Sequence, residues 1–425
     1  MLIIKNGRVM NPSTHFDEVT DVIISEGKIL KIKKASEEEL SQAEKVIDAT
    51  NLVVAPGLVD IHVHFRDPGF THKETLETGA LAAAAGGYTS VICMANTSPA
   101  IDNVETFRSV QDRADMLKIN VYQAANVTMG MKGNTLVDMD GLHNAGALGF
   151  TDDGLPIMDD DLMNEALKKA KELDVPISLH EEDPAYIGSP GINAGPVAKK
   201  VGVKGADRLA EEVMVERDIR LNESVGAKMD IQHISSARTV EMIRNAKARG
   251  ITVFAEVTPQ HFSKTEDLVL EKGALARVNP PIRTEADRRA LIEGIKDDTI
   301  DFIATDHAPH TMEEKSKGIE SAPSGMIGLE TALALAVTNL VIAEDIDLMH
   351  VLEKFTVNPA KFYKIDAGEL KEDCNADIVI FDSAEEWTVT EEAFHSKSPN
   401  SPFIGEKLTG KVKYTICKGN IVYND

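Results

Sequence analysis

His62 and His64 stand two residues apart in Val59-Asp60-Ile61-His62-Val63-His64. Apolar Val59, Ile61 and Val63 alternate there with polar residues, the period of a β-strand. Successive strand side chains point to opposite faces, so the two imidazoles project together and can grip one divalent metal. Arg66 follows where the strand gives way to the Pro68-Gly69 turn. A fixed guanidinium beside a metal suits an anionic substrate, because its planar fork matches a carboxylate. Taken alone, a His-x-His pair is as readily a polar surface or a satisfied core pair, and the remaining residues decide between these readings.

Four histidines and two aspartates recur at equivalent places: His62, His64, Asp153 in Thr151-Asp152-Asp153-Gly154, His180, His233 and Asp306. Singly, each has a plain structural explanation. His180 or His233 can be a buried structural histidine, Asp306 a helix cap, and Asp152-Asp153-Gly154 a turn. Together they form a ligand set without thiolate, which suits catalytic zinc, manganese or cobalt rather than a structural zinc site. Six ligands are enough for two metals ~3.5–4 Å apart that share a hydroxide. The expected assignment puts His62, His64 and Asp306 on one zinc, His180 and His233 on the other, with Asp153 and the hydroxide bridging. Asp306 then also serves as the proton shuttle between the attacking water and the leaving nitrogen. Asn96, Asn279 and His310 are candidate polar contacts for the substrate. His307 has no assigned role.

The elements that must hold this set repeat one rhythm. Between residues 55 and 366, apolar strands are expected at Leu58–Phe65, Tyr88–Asn96, Asn120–Val127, Ala147–Thr151, Pro176–His180, Met229–Ile234, Thr252–Val257 and Asp301–Thr305. Amphipathic helices lie between them, as at Asp161–Glu172, Ala237–Ala248 and Glu285–Lys296. Alternating strand and helix implies a parallel sheet, and eight units imply a (β/α)8 TIM-like barrel, with a doubly wound open sheet as the alternative. A barrel requires its chemistry at the C-terminal ends of the strands, where the candidates fall. Residues 1–54 and 367–425 instead carry short alternating segments. Neither half makes a sheet alone, so they are expected to combine into one small composite β-domain. The 310–325 stretch after the last strand is a candidate lid.

Composition removes several other functions. A formal charge of −24 disfavours nucleic acid and anionic membranes, both of which need a basic face. No run approaches the ~20 apolar residues of a membrane span, and the first residues read as a strand rather than a leader, so a cytoplasmic location is expected. Three scattered cysteines indicate neither disulfides nor a thiolate metal site.

The chain resembles the amidohydrolase superfamily and, within it, the long, class I bacterial dihydroorotases. The resemblance is carried by Pro56-Gly57-Leu58-Val59-Asp60 leading to His62 and His64, by Asn96-Thr97, Phe150-Thr151-Asp152-Asp153-Gly154 and His180-Glu181. It continues through Thr305-Asp306-His307-Ala308-Pro309-His310, Gly328-Leu329-Glu330, Asn375-Ala376-Asp377 and Ser398-Pro399-Asn400-Ser401-Pro402-Phe403. It implies reversible, metal-dependent cyclisation of N-carbamoyl-L-aspartate to L-dihydroorotate in pyrimidine synthesis, with the ligand set above. Arg66, Asn96 and His310 match positions that hold the substrate carboxylate, and His64 joins the substrate contacts. Asn279 and the backbone of Ser324-Gly325 match positions that hold the ring, although Ser324 stands where several relatives carry Phe. A homodimer, and aspartate transcarbamoylase as a possible partner, are also implied.

Two other readings compete. A dihydropyrimidinase, hydantoinase or allantoinase would keep the histidines but usually bridges its metals with a carboxylated lysine on the fourth strand. Gly146-Ala147-Leu148-Gly149-Phe150-Thr151 has no lysine. A non-catalytic scaffold for aspartate transcarbamoylase would be free to lose metal ligands, yet all six candidates are present.

Overall fold

The computed structural model describes residues 1–425. The chain opens with β1 (Leu2–Asn11), β2 (Phe16–Ser25), β3 (Lys28–Ile32), β4 (Lys45–Asp48) and β5 (Val53–Pro56). Seven short parallel strands follow: β6 (Leu58–Val63), β7 (Tyr88–Cys93), β8 (Asn120–Gln123), β9 (Ile177–Leu179), β10 (Met229–Ile231), β11 (Phe254–Val257) and β12 (Phe302–Ile303). The chain ends with β13 (Ile378–Thr388), β14 (Lys407–Cys417) and β15 (Asn420–Asn424).

The pairings of the middle strands run in a circle. β6, β7 and β8 form one parallel sheet, and β9, β10, β11 and β12 another. Phe150 joins them on one side, bridging Ala125 and Ile177, with the Ala125 and Phe150 amides donating to Gly149 and Pro176 carbonyls at 3.0 Å. Val63 and His307 join them on the other, and the His64 amide donates to the His307 carbonyl at 2.9 Å. This is the expected barrel, with its fourth strand reduced to the one bridging residue Phe150.

The expected strands reach further than the observed ones at their C-terminal ends. Leu58–Phe65 stops at Val63, Tyr88–Asn96 at Cys93, and Met229–Ile234 at Ile231. The chain leaves the ladder there because functional side chains turn into the mouth of the ring. Arg66, His233 and Asp306 hold left-handed backbone at φ 59°, 34° and 47°, a conformation uncommon for residues with a Cβ and found disproportionately at functional sites. Side chains replace part of the missing ladder. The buried Asp60 carboxylate accepts from the Thr305 hydroxyl at 2.6 Å and its amide at 3.2 Å, pinning β12 to β6. Burial pushes the Asp60 carboxyl up to about 7, and these hydrogen bonds and that from the His62 amide pull the other way.

The N-terminal end of the ring is apolar. Phe254 and Phe302, which begin β11 and β12, stack at 6.0 Å, and Phe362 packs on both at 4.7 and 5.0 Å. The ring therefore has a sealed end and a polar one. Outer helices start at defined caps: Thr75 opens Leu76–Ala85 and Thr284 opens Glu285–Lys296, each with a reciprocal capping box. Gly79 in the first of these lets the helix lie on Phe65, since a Cβ there would sit 2.4 Å from its ring.

Both chain ends form one eight-stranded sheet, ordered β15-β14-β13-β5-β1-β2-β3 with β4 beside β1. β5 and β13 pair antiparallel across the junction, Ile378 opposite Pro56 and Phe381 opposite Val53. β5 was not among the expected strands. Its four residues are all buried and end in Pro56, which has no N–H for a ladder, so the run reads as a lead-in to β6. No helix is long and apolar enough to cross a membrane.

Candidate metal centre and substrate cleft

The strand ends bring all six expected ligands together. Asp153 lies at the centre. One carboxylate oxygen is 3.6 Å from His62 Nε2, 3.5 Å from His180 Nδ1 and 3.8 Å from His233 Nε2, while the other is 3.3 Å from His64 Nε2. Asp306 Oδ1 is 3.0 Å from His64 Nε2 and 3.6 Å from His62 Nε2. Two triads that can each hold a metal ion share Asp153: His62 and His64 on one side, His180 and His233 on the other.

Three imidazoles are oriented from behind. His62 Nδ1 donates to the buried Glu256 carboxylate at 2.5 Å, and Glu256 also accepts from the His233 amide at 3.0 Å. His64 Nδ1 donates to Asn96 Oδ1 at 3.0 Å, while the Asn96 amide donates to Asp153 at 3.0 Å. His180 Nε2 donates to Glu182 at 3.0 Å. Each ring thereby turns a lone pair toward Asp153, the arrangement by which outer carboxylates and amides fix metal-binding histidines. His62 Nε2 is buried with no hydrogen-bond partner, and His180 Nδ1 and His233 Nε2 approach to 3.0 Å. Imidazole nitrogens that converge on one carboxylate oxygen at 3.5–3.8 Å, too far to hydrogen-bond it, are fitted to a cation.

The electrostatics agree. Burial disfavours charge on His62, but Glu256 and Asp153 outweigh it and hold the ring well above its usual range. For His180, Asp153 and Glu182 likewise overcome burial and raise the ring to about 10. Burial also opposes charge on Asp153 and Asp306, and the surrounding imidazoles overcome it and lower both carboxyls. A field that draws protons onto imidazoles also draws a divalent cation.

Above the cluster lies a cleft of about 180 Å³ lined by 13 residues. They include every expected contact: His64, Arg66, Asn96, Asn279, His310, Ser324 and Gly325. Of the expected residues only His62 is absent from the lining, being fully buried beneath. Arg66 Nε donates to the Pro309 carbonyl at 3.2 Å, and the guanidinium makes no ion pair. Its neighbour Asp67 is taken by Arg113 at 2.8 and 2.9 Å. Asp67, adjacent in sequence, is thus not a partner of Arg66.

His310 Nε2 donates to the Ser324 carbonyl at 2.9 Å, and Nδ1 accepts from Lys73 Nζ at 3.2 Å. Burial, reinforced by Arg66, Lys73 and Lys315, pushes this ring down to about 2, so it stays neutral. Asn279 Oδ1 is buried and unpartnered. Gly325, at φ 130°, is required: a Cβ would meet Ala308 at 2.8 Å and His310 at 3.0 Å. Ser324 Oγ packs over Gly191, where a Cβ would approach it to 2.4 Å.

Sequence reasoning missed Glu256, Glu182 and Lys73. Glu256 carries a signal, a lone carboxylate within the apolar strand Phe254-Ala255-Glu256-Val257. Glu182 and Lys73 lie in polar loops where nothing local marks them.

This fold and cluster are those of an amidohydrolase. An amidohydrolase family model matches residues 324–423, and a dihydro-orotase-like family model matches residues 51–239. The chain is 57% identical over its full length to a dihydroorotase of Clostridioides difficile and 54% identical to one of Clostridium acetobutylicum, each covered completely. It belongs to the dihydroorotase family. Among solved structures it is similar to an L-hydantoinase (dihydropyrimidinase) of Arthrobacter aurescens, with a TM-score of 0.89 and 26% identity over 100% of this chain and 96% of that one. A dihydropyrimidinase of Brevibacillus agri shares the fold with a TM-score of 0.85, at 23% identity over 99% of this chain and 95% of that one.

Proposed function

We propose that this protein catalyses the reversible, metal-dependent cyclisation of N-carbamoyl-L-aspartate to L-dihydroorotate. The observation that carries the reading is Arg66, a guanidinium without a carboxylate partner in the wall of the cleft that also exposes His64 and Asp306. A substrate with a free carboxylate beside a cyclic amide matches that pairing of cation and ligand cluster. Full-length identity to dihydroorotases supports the same choice over the hydantoinases that share the fold.

His62, His64, Asp153, His180, His233 and Asp306 would hold two zinc ions, with Asp153 between them. Bound there, divalent metal supplies Lewis acidity toward the ring carbonyl and the attacking water. The chain supplies the rest. Arg66, Asn96 and His310 hold the carboxylate, while Asn279 and the Ser324-Gly325 backbone hold the ring. Asp306 takes a proton on a carboxylate oxygen as water adds to the carbonyl and returns it to the ring nitrogen as the C–N bond breaks. In cyclisation the same carboxylate takes the proton from the carbamoyl nitrogen as the C–N bond forms and gives it to the departing oxygen, which leaves as water. A homodimer belongs to this reading, and sedimentation of the purified protein tests it.

The deciding experiment strips the metal with a chelator, restores zinc, and compares L-dihydroorotate with dihydrouracil and hydantoin, cyclic substrates without the carboxylate. Zinc-dependent turnover of dihydroorotate, with little turnover of the other two, is expected. Preference for an uncharged ring, or full activity without metal, would overturn the proposal.

A further inference from the structure

The segment Ser396–Asn400 lies between β13 and β14 of the composite sheet, yet its contacts are with the mouth of the barrel. Ser396 Oγ and the Lys397 amide donate to Glu74, the latter at 3.1 Å, and Ser398 Oγ donates to the Lys73 carbonyl at 2.6 Å. Asn400 goes deepest and is fully buried. Its side-chain oxygen accepts from the His310 amide at 3.1 Å, and its side-chain nitrogen donates to the Gly325 carbonyl at 3.2 Å and the Ala308 carbonyl at 3.3 Å. Its own carbonyl accepts from the Ile327 amide at 3.3 Å.

We infer that Asn400 is a positioning residue for substrate recognition, one side chain that sets the spacing between the two backbone stretches carrying His310 and Ser324-Gly325. The inference rests on the proposed function. His310 Nε2 joins the two stretches from within, on the Ser324 carbonyl at 2.9 Å, and Asn400 binds both from a segment outside them. Lys315 Nζ caps the Pro323 and Gly325 carbonyls but belongs to the same loop. An amide is the side chain this place requires, because one face must accept an N–H while the other donates to two carbonyls. An aspartate would keep the acceptor and set a negative charge against both carbonyl oxygens. Alanine would leave the buried His310 amide and Ala308 carbonyl without this partner and the Gly325 carbonyl with Lys315 alone. Either change loosens the Arg66–His310 side of the cleft and leaves the histidines and aspartates of the metal cluster, which Asn400 does not touch, in place.

The test compares Asn400→Ala and Asn400→Asp with Asn11→Ala. Asn11 is a matched control: a buried amide that accepts from the Leu370 amide at 3.2 Å and donates to its carbonyl at 2.8 Å, within the composite sheet and away from the cleft. Hydrogen exchange over residues 308–327 is read first, since it does not depend on activity. Exchange there should quicken in the Asn400 variants and not in Asn11→Ala, with zinc content unchanged in all. KM for L-dihydroorotate should then rise about tenfold with kcat nearly unaltered. Asn400→Asp, close in size to the native residue, carries the test if the alanine variant fails to fold. Unchanged exchange, or a parallel loss of kcat, stability and zinc like that of a general destabilisation, would overturn the inference. Absent turnover in the wild type would instead count against the proposed function, leaving the exchange result to judge Asn400.

Discussion

At the scale of single residues, the site separates recognition from chemistry. Arg66 makes no ion pair, so its charge is available to a ligand at no cost to an internal pair. Losing a charged hydrogen bond to substrate typically costs about 1.5–3 kcal/mol, or roughly tenfold to a hundredfold in kcat/KM. Arg66→Met should show that loss for L-dihydroorotate and a much smaller one for an uncharged cyclic imide. Equal losses on both substrates would remove Arg66 from carboxylate recognition. Asp306→Asn should instead collapse kcat in both directions while the protein stays folded and metallated, because the amide cannot carry the proton. Near-normal kcat in either direction would refute the shuttle. Glu256→Gln probes the layer beneath. The charge that favours a proton on His62 Nδ1, and so a lone pair on Nε2, is removed, and metal affinity should fall roughly tenfold to a hundredfold. Metal titration of the stripped variant measures it, and unaltered affinity would leave Glu256 a packing residue only.

At the scale of elements, the barrel was legible in the sequence and its rims were not. Alternation and helical periodicity place β6, β7, β10 and β11, and the outer helices Ala237–Ala248 and Glu285–Lys296 keep their expected bounds. The fourth strand narrows to Phe150 because the ring needs only one bridging residue there, a fact set by closure rather than by local pattern. The candidate ligands were legible because they share one position in a repeated unit. Asn400 and Glu74 were not, since the groups they join lie 75 to 92 residues away for Asn400 and 233 and 322 for Glu74.

The 310–325 loop belongs to this scale as well. It is built around Lys315, whose burial, with Arg277 nearby, lowers its amine to about 7. The unfolded chain therefore holds more protons than the folded one between pH 7 and the ordinary lysine range. Stability must rise with pH across that window, by up to about 1.4 kcal/mol per unit for one proton. Denaturant titrations at pH 7 and 9 should show this increment in the wild type and lose it in Lys315→Met. The same slope in both proteins would show that Lys315 is not its source. An amine buried under its own loop also favours an ordered cover over a freely swinging lid.

At the scale of the whole molecule, an acidic chain concentrates its positive charge where function needs it. Arg66 lines the cleft and Lys73 stands behind His310 in its wall, in a protein of net charge −24. Acid should empty the metal centre. Its imidazoles ligate only when neutral, and the carboxylates that raise His62 and His180 strengthen the competing proton, so bound metal should increase with pH through the neutral range. Metal content after dialysis at pH 5 and pH 8 reads this directly, and equal content would contradict it.

The composite sheet has a consequence for how the chain comes into being. β5 ends at Pro56 and its partner β13 begins at Ile378, so the ribosome makes the first strands and then more than three hundred residues before the edge of β5 is covered. At about 5–20 residues per second that wait is on the order of half a minute. Throughout it the nascent chain presents an apolar strand edge, an invitation to mispairing. The enzyme's yield in a cell should therefore depend on whatever shelters that edge during translation, and a stalled chain ending before β13 should aggregate where the finished one does not.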